Sequence, residues 1–439
     1  VAIVTLLGPV AARRVDTRGL ERNPVFSLLR TAVPRVHAQP AHADWRASPF
    51  PQVPPTRPTH PLHQLRGRAA GHNILLVVLE STAARYLRPY GATQDPMPNL
   101  SELAQRSIVF ENAYAVFPES VKGLVALLAS RYPGFDVPAE RHADLMAPSL
   151  ASVLSAGGYR TALFHSGRFF YLGMAELLAR SGFHDLEDAG DMGGNHKSSF
   201  GIDEDAAVRR ILGWVDGLPA ERRFFAVYLP IAGHHPYATT RPGPFEEHEE
   251  ADRYRNALHE GDRALGALLA GLRTRGLDRN TLIVVVGDHG EAFGQHAGNY
   301  GHNLALYDEN VRVPLILSLP KGKARAERVP TTASVLDLAP TMLDLLGVTP
   351  PVPFQGESLL DGRERMALFF TDYSLGLLGV RDGCLKLIHE LESNRTRAFD
   401  LCRDAEEQRD IAETMVARIP TYRESLRRWS AAQLAAIPR

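Results

Sequence analysis

Leu282-Ile283-Val284-Val285-Val286-Gly287-Asp288-His289-Gly290-Glu291 decides how this sequence is read. Its first half is an apolar, β-branched run without alternation, the pattern of a strand buried on both faces. A glycine then permits a tight turn, and a carboxylate and an imidazole are presented together. Runs of the same character occupy residues 74–79, 224–229 and 314–317. Helix-like stretches lie among them, at 99–106, 124–130, 149–156, 203–215 and 254–273. Strands alternating with helices predict an α/β domain, a mostly parallel sheet with helices on both faces. No internal repeat is visible.

In open α/β sheets, ligands bind beyond the carboxyl ends of the strands. The residues just past these runs are Glu80, the pair His234-His235 and the pair Asp288-His289. All are metal ligands or acid/base groups by type. Asp and Glu supply hard oxygen and His supplies nitrogen, a mixed set suited to Zn or Mn.

A chain of 439 residues has room for one large catalytic domain and a smaller piece. A hydrophobic fraction of 44% and a charged fraction of 23% are ordinary for a globular protein. The formal net charge of -1 argues against nucleic-acid or membrane attraction driven by overall charge. Pro34, Pro40, Pro49, Pro51, Pro54, Pro55, Pro58 and Pro61 punctuate a polar, His-rich stretch, so residues 1–70 read as a tether. The apolar run at 1–12 is too short to span a bilayer alone. It reads as the tail of a truncated membrane helix or as a buried or terminal segment. The catalytic domain is expected at 71–360. A C-terminal α+β subdomain is expected at 361–439, with short strands near Phe369 and Leu387 and a helix from Ile411 to about Ala436. Cys384 and Cys402 read as free structural thiols, because no multi-cysteine framework exists; a bridge between them is the alternative.

Ser120 opens the helix-like segment Ser120-Val121-Lys122-Gly123-Leu124. A hydroxyl there lies near free amides and the positive end of the helix dipole. Metal coordination and a neighbouring cation, with Lys122 the candidate, turn such a hydroxyl into a nucleophile. An ordinary N-cap serine is the plainer reading of the same residue.

From residue 73 to the C-terminus the chain resembles the sulfatase family of the alkaline-phosphatase superfamily. The resemblance rests on ordered pieces. They are Met97-Pro98-Asn99-Leu100, Asn112-Ala113-Tyr114-Ala115, and the spacing from Ser120 through Leu127-Leu128 to Arg131-Tyr132-Pro133. Most specific are Gly287 to Glu291, Gly301-His302 and Val311-Arg312-Val313-Pro314. It implies an alkaline-phosphatase-like sheet, one divalent ion held by Glu80, Ser120, Asp288 and His289, and substrate contacts from His234 and His302. Arg168 and His296 are weaker candidates for anion binding; Arg168 has a bidentate fork for it.

The departures carry information. Conversion of a Cys or Ser to formylglycine in ordinary sulfatases needs Pro or Ala two residues on and Arg four residues on; here Lys122 and Leu124 stand there. Paired aspartates are replaced by Glu80-Ser81, and a Gly-Lys-x-His segment by Gly167-Arg168-Phe169-Phe170. A single Glu with an unmodified hydroxyl is more similar to the lipoteichoic-acid-synthase-like and phosphoethanolamine-transferase-like branch. That branch implies Mn or Zn ahead of Ca or Mg, phospho-alcohol transfer or hydrolysis, and a lipid, glycan or small-molecule ester substrate. It also implies a catalytic domain outside the cytoplasm, periplasmic or extracellular, hung from the cell membrane. Hydrolysis of sulfuric esters is the first alternative, and a non-catalytic binding protein on the same fold is the second.

Overall fold

A computed structural model describes residues 34–39, 44–51, 62–198, 200–320, 326–350 and 354–437. The run at 1–12 and much of the expected tether lie outside these residues. Among them, no helix is long and apolar enough to cross a membrane.

The main sheet contains β1 (Asn73–Leu79), β2 (Ile108–Tyr114), β3 (Arg160–His165), β4 (Asp185–Glu187), β5 (Phe224–Leu229), β6 (Thr281–Gly287), β7 (Arg312–Val313), β8 (Leu315–Ser318) and β9 (Glu327–Ser334). Across the sheet the order is β7-β2-β8-β6-β1-β5-β3-β4, with β9 also paired to β2. The central strands β6, β1, β5, β3 and β4 run parallel, as does the β2–β9 pair. Only β7 and β8 run antiparallel to their neighbours. The sheet is therefore mostly parallel, as the alternation of strand and helix predicts.

β1 is buried along its whole length, and its side chains divide between two cores by the period of two. Ile74, Leu76 and Val78 join one hydrophobic cluster with helices α1 (Ser120–Ala129) and α4 (Leu338–Leu346). Leu75, Val77 and Leu79 join the other with α2 (Glu204–Asp216) and α3 (Glu250–Thr274). Helices thus cover both faces, and each fully buried Leu, Ile or Val contributes about 1.5–3 kcal/mol. β2, β3 and β9 do not stand out in the sequence because polar residues such as Asn112, Thr161 and Arg328 interrupt their apolar runs.

Beyond residue 361 four strands form an antiparallel sheet: β10 (Ala367–Thr371), β11 (Leu377–Asp382), β12 (Leu385–Glu390) and β13 (Thr396–Asp400). The terminal helix α5 spans Ile419–Ala435 and starts later than its sequence suggests. Pro420 occupies its first turn, where a missing amide costs nothing. Trp429 of α5 packs edge-on against Phe370 of β10, joining this sheet to the main core.

Cys384 and Cys402 are not free thiols. They form a disulfide, with Cα atoms 5.3 Å apart. The physical reason is register: Leu385 pairs with Asp400 across β12 and β13, and the Leu401 amide donates to the Cys384 carbonyl at 2.8 Å. Short described pieces of the N-terminal stretch also dock on the body. Arg46 is buried in a bidentate pair with Asp337, and its Nε donates to the Met366 carbonyl at 2.9 Å.

Candidate active site

Leu79 and Gly287 are register partners on adjacent parallel strands. The next residues, Glu80 and Asp288, therefore emerge side by side. Ser81 follows in a left-handed turn, φ 51°, which aims its amide at Asp288 Oδ1, 3.0 Å away. Strain of this kind persists where surrounding structure enforces it. Tyr254 fixes the turn by donating its hydroxyl to the Ser81 carbonyl at 2.7 Å.

Glu80, Asp288 and His289 present ligand atoms all within 4.8 Å of one another, and all three are buried. His289 Nε2 is 3.4 Å from Glu80 Oε1 and 3.5 Å from Asp288 Oδ2. His289 Nδ1 lies 3.0 Å from the Gly290 carbonyl, which places a proton on Nδ1 and turns Nε2 toward the carboxylates. Two carboxylates converging on a ring nitrogen in a buried space demand a positive charge, either on the protonated ring or on a bound cation. The acid–base behaviour agrees. Burial and the Glu80 charge push the Asp288 carboxyl up to about 7. Burial opposes a charged His289 ring, yet Asp288 and Glu80 lift it to about 10. Burial likewise opposes the Glu80 charge, but the His289 bond holds its carboxyl well below the usual range. The donor set, two oxygens and one nitrogen, fits a divalent cation.

Ser120 completes this group. Its hydroxyl donates to Glu80 Oε2 at 2.8 Å and lies 3.3 Å from His289 Nε2. It is not the N-cap of α1. That place belongs to Glu119, whose carboxylate accepts from the Val121 and Lys122 amides at 2.7 and 3.4 Å. With the cap supplied by its neighbour, the Ser120 hydroxyl is left to face the acidic cluster.

The His302 ring lies tilted against that of His289, centroids 4.4 Å apart, and its Nδ1 is 3.0 Å from Glu291 Oε2. Glu291 is buried and also accepts from the Tyr237 hydroxyl at 2.9 Å. His234 also lies near His302, with ring centroids 6.4 Å apart. Its loop runs close past Glu80: a Cβ on Gly233 would sit 2.1 Å from the Glu80 carbonyl oxygen, so that position requires glycine. Both histidines thus border the cluster.

Three expected positions lie elsewhere. Lys122 does not face the Ser120 hydroxyl; its Nζ bonds both oxygens of Asp372 at 3.0 and 2.9 Å. Arg168 is engaged by Asp188 at 3.3 Å and lies over the Phe170 ring. His296 stacks on Tyr307, and its Nδ1 bonds Glu309 at 2.6 Å.

Two contributors were missed in the sequence. His165 ends β3 beside Leu229, with Nδ1 3.1 Å from the Leu229 carbonyl. Burial lowers its pKa despite the charges of Glu80 and Asp188. The strand-end rule would have found it had Ala162-Leu163-Phe164 been read as a strand. Glu291, quoted only as part of a motif, proves to be the support of His302.

A model of the sulfatase family matches residues 72–348, more than half of the chain. A model described as N-sulphoglucosamine sulphohydrolase, C-terminal, matches residues 296–424. The Delta 4,5-hexuronate-2-O-sulfatase of Bacteroides thetaiotaomicron is 25% identical, covering 77% of this chain and 84% of that protein. The lipoteichoic acid synthase-like YvgJ of Bacillus subtilis is 24% identical over 67% of this chain, which spans about half of that relative, 51%. The solved lipoteichoic acid synthase LtaP of Listeria monocytogenes superposes with a TM-score of 0.65 at 18% identity, covering 85% of this chain and 95% of that one, and so shares the fold. The chain belongs to the sulfatase family, ester-cleaving enzymes that use a divalent metal.

Proposed function

We propose that this enzyme transfers or hydrolyses a phosphate ester through Ser120. The observation that carries the reading is the Ser120 hydroxyl, 2.8 Å from Glu80 and 3.3 Å from His289, on a segment where Lys122 and Leu124 replace the residues formylglycine formation needs. Glu80, Asp288, His289 and Ser120 would hold one divalent ion, Mn or Zn by donor type. When bound, it supplies Lewis acidity that acidifies the Ser120 hydroxyl and polarises the ester oxygen.

The hydroxyl proton already points at Glu80 Oε2. Ser120 Oγ forms a bond to phosphorus in line as the bond to the leaving alkoxide breaks. His302, with Nδ1 held by Glu291, and His234 stand where they can donate to a phosphoryl oxygen or protonate the leaving oxygen. Water or an acceptor alcohol then attacks phosphorus as the Ser120 Oγ–phosphorus bond breaks; the attacking group gives its proton to the histidine that protonated the leaving oxygen, and the proton held at Glu80 returns to Ser120 Oγ. Substrates of the small-molecule, lipid or glycan ester class fit this scheme. The Cys384–Cys402 bridge supports a location outside the cytoplasm, where disulfides persist.

Sulfuric ester hydrolysis is the second reading, favoured by the likeness to the Bacteroides 2-O-sulfatase. A panel of aryl phosphate monoesters, phosphodiesters and sulfates, assayed with Mn and with Zn, separates the two. Faster turnover of the phosphodiesters supports the first reading. Preference for sulfates, with the Ser120 peptide two hydrogens lighter than its sequence, overturns it.

A further inference from the structure

The pair Lys122–Asp372 lies two residues from the nucleophile, and the residue before Asp372 bonds the loop that carries His302. Asp372 follows β10 at its carboxyl end. Its carboxylate takes both bonds from Lys122 Nζ, and Oδ2 also accepts from the Asp136 amide at 2.7 Å. The side chains of the ion pair are only 9% and 8% exposed. Lys122 lies in the first turn of α1, two residues after Ser120, and its ammonium sits 4.5 Å above the Phe117 ring. The same strand grips the approach to α1, since the Phe370 amide donates to the Val116 carbonyl at 3.0 Å and the Phe117 and Phe370 rings meet edge-on. Thr371, fully buried, turns to the other loop: its hydroxyl donates to the Asn303 carbonyl at 2.7 Å, next to His302.

We propose that Thr371 and Asp372 are positioning residues that hold the Ser120 turn and the His302 loop at a fixed separation across the site. The argument rests on Ser120 and His302 acting as described above. Two adjacent residues from the C-terminal sheet bind the two segments that must meet at one ester. A buried ion pair seldom adds net stability over apolar packing, and its best-attested use is to fix a register. Lys122 and Asp372 fix the first turn of α1 relative to β10. The Thr371 hydroxyl fixes the His302 loop relative to the same strand end, so Ser120 Oγ and the His302 ring share one reference. The C-terminal sheet thereby becomes part of the catalytic geometry without contributing a group that touches substrate.

The test uses the full chain and the best aryl ester from the panel, with kcat, KM, bound metal and melting temperature measured together. Variants are Thr371→Val, Thr371→Ser, Asp372→Asn, the double variant Lys122→Met/Asp372→Asn, and Ser120→Ala as control. Misplacement of reacting groups by about 1 Å costs about 100-fold, so Thr371→Val and Asp372→Asn are expected to lower kcat by about 10–100-fold. KM and the metal content stay near those of the parent, and Thr371→Ser retains near-parental kcat. The double variant loses no more than Asp372→Asn alone. Parental kcat in both Thr371→Val and Asp372→Asn, with Ser120→Ala inactive, overturns the positioning role. An equal loss in Thr371→Ser and Thr371→Val overturns it too, because packing and not the hydroxyl would then be responsible. If Asp372→Asn does not fold, the Thr371 pair decides. An active Ser120→Ala enzyme instead overturns the nucleophile on which the inference stands.

Discussion

Glu80 and Asp288 stand next to each other because the residues before them, Leu79 and Gly287, are paired across two parallel strands. Two carboxylates are thereby forced together in a buried space, with the His289 nitrogen 3.4 and 3.5 Å from them. Such a cluster is stable when a cation neutralises it, and the consequences can be measured.

Removal of the metal is expected to abolish turnover, and elemental analysis of the purified chain should find one divalent ion. Glu80→Gln and Asp288→Asn keep the shape and remove charge, so metal content should fall sharply in each. Full metal occupancy in both variants would rule out the proposed ligand set.

Ser120→Ala leaves the carboxylates in place but removes the attacking oxygen. Loss of a nucleophile in comparable hydrolases costs about 10⁴–10⁶-fold in kcat, and a loss of that size is expected on the preferred ester. Metal affinity should weaken more modestly.

His302→Gln should lower kcat by about 10²–10⁴-fold, the usual value of a positioned acid–base group. Glu291→Gln acts at one remove, through the 3.0 Å contact to His302 Nδ1, and should cost less than His302→Gln while shifting the pH–rate profile. Equal profiles for Glu291→Gln and the parent would show that His302 needs no support from it.

His142 and His389 are both buried and held neutral. Burial, helped by the Lys122 charge, lowers His142 from 6.5 to about 4. Burial, with Arg427 and Arg423 nearby, lowers His389 to about 4 as well. Unfolding frees each ring to take up a proton at its ordinary pKa. Between about pH 6.5 and 4 the unfolded chain therefore binds more protons, and stability falls as pH falls through that window. Each ring accounts for up to about 3 kcal/mol, full above the window and lost below it. Denaturant unfolding at pH 7.5 and pH 5 should show the drop, and His389→Leu should make it smaller.

Reducing the Cys384–Cys402 bridge opens a loop of sequence separation 18. Closing such a loop constrains the unfolded chain by about 3 kcal/mol, so Cys384→Ser/Cys402→Ser should lose about that much unfolding free energy and unfold at lower urea. Unchanged unfolding on reduction would show the bridge to be thermodynamically idle.

Much of this was legible along the chain. The runs 74–79, 224–229 and 282–286 declare buried parallel strands because both their faces are apolar, and the polar residues after them declare the ligand end. Glu80, Asp288 and His289 were found that way, and the sheet register then explains why Glu80 and Asp288 meet; Ser120 was picked out instead as the first residue of a helix-like segment. Other features were not legible. His165 was hidden because Arg160 and Thr161 blur the strand that delivers it, and the pairing of Cys384 with Cys402 depends on a hairpin register that no spacing reveals.

What the sequence determined by itself is the alternation of apolar strand and amphipathic helix, and the chemical type of the groups at the strand ends, since both follow from local composition and period. What only the tertiary structure decided is which partner each charged group takes. Lys122 lies two residues from Ser120, yet its ammonium goes to Asp372, 250 residues away. Local spacing sets where a side chain starts. Burial penalises any charge left unpaired, so the folded packing, and not proximity along the chain, selects where it ends.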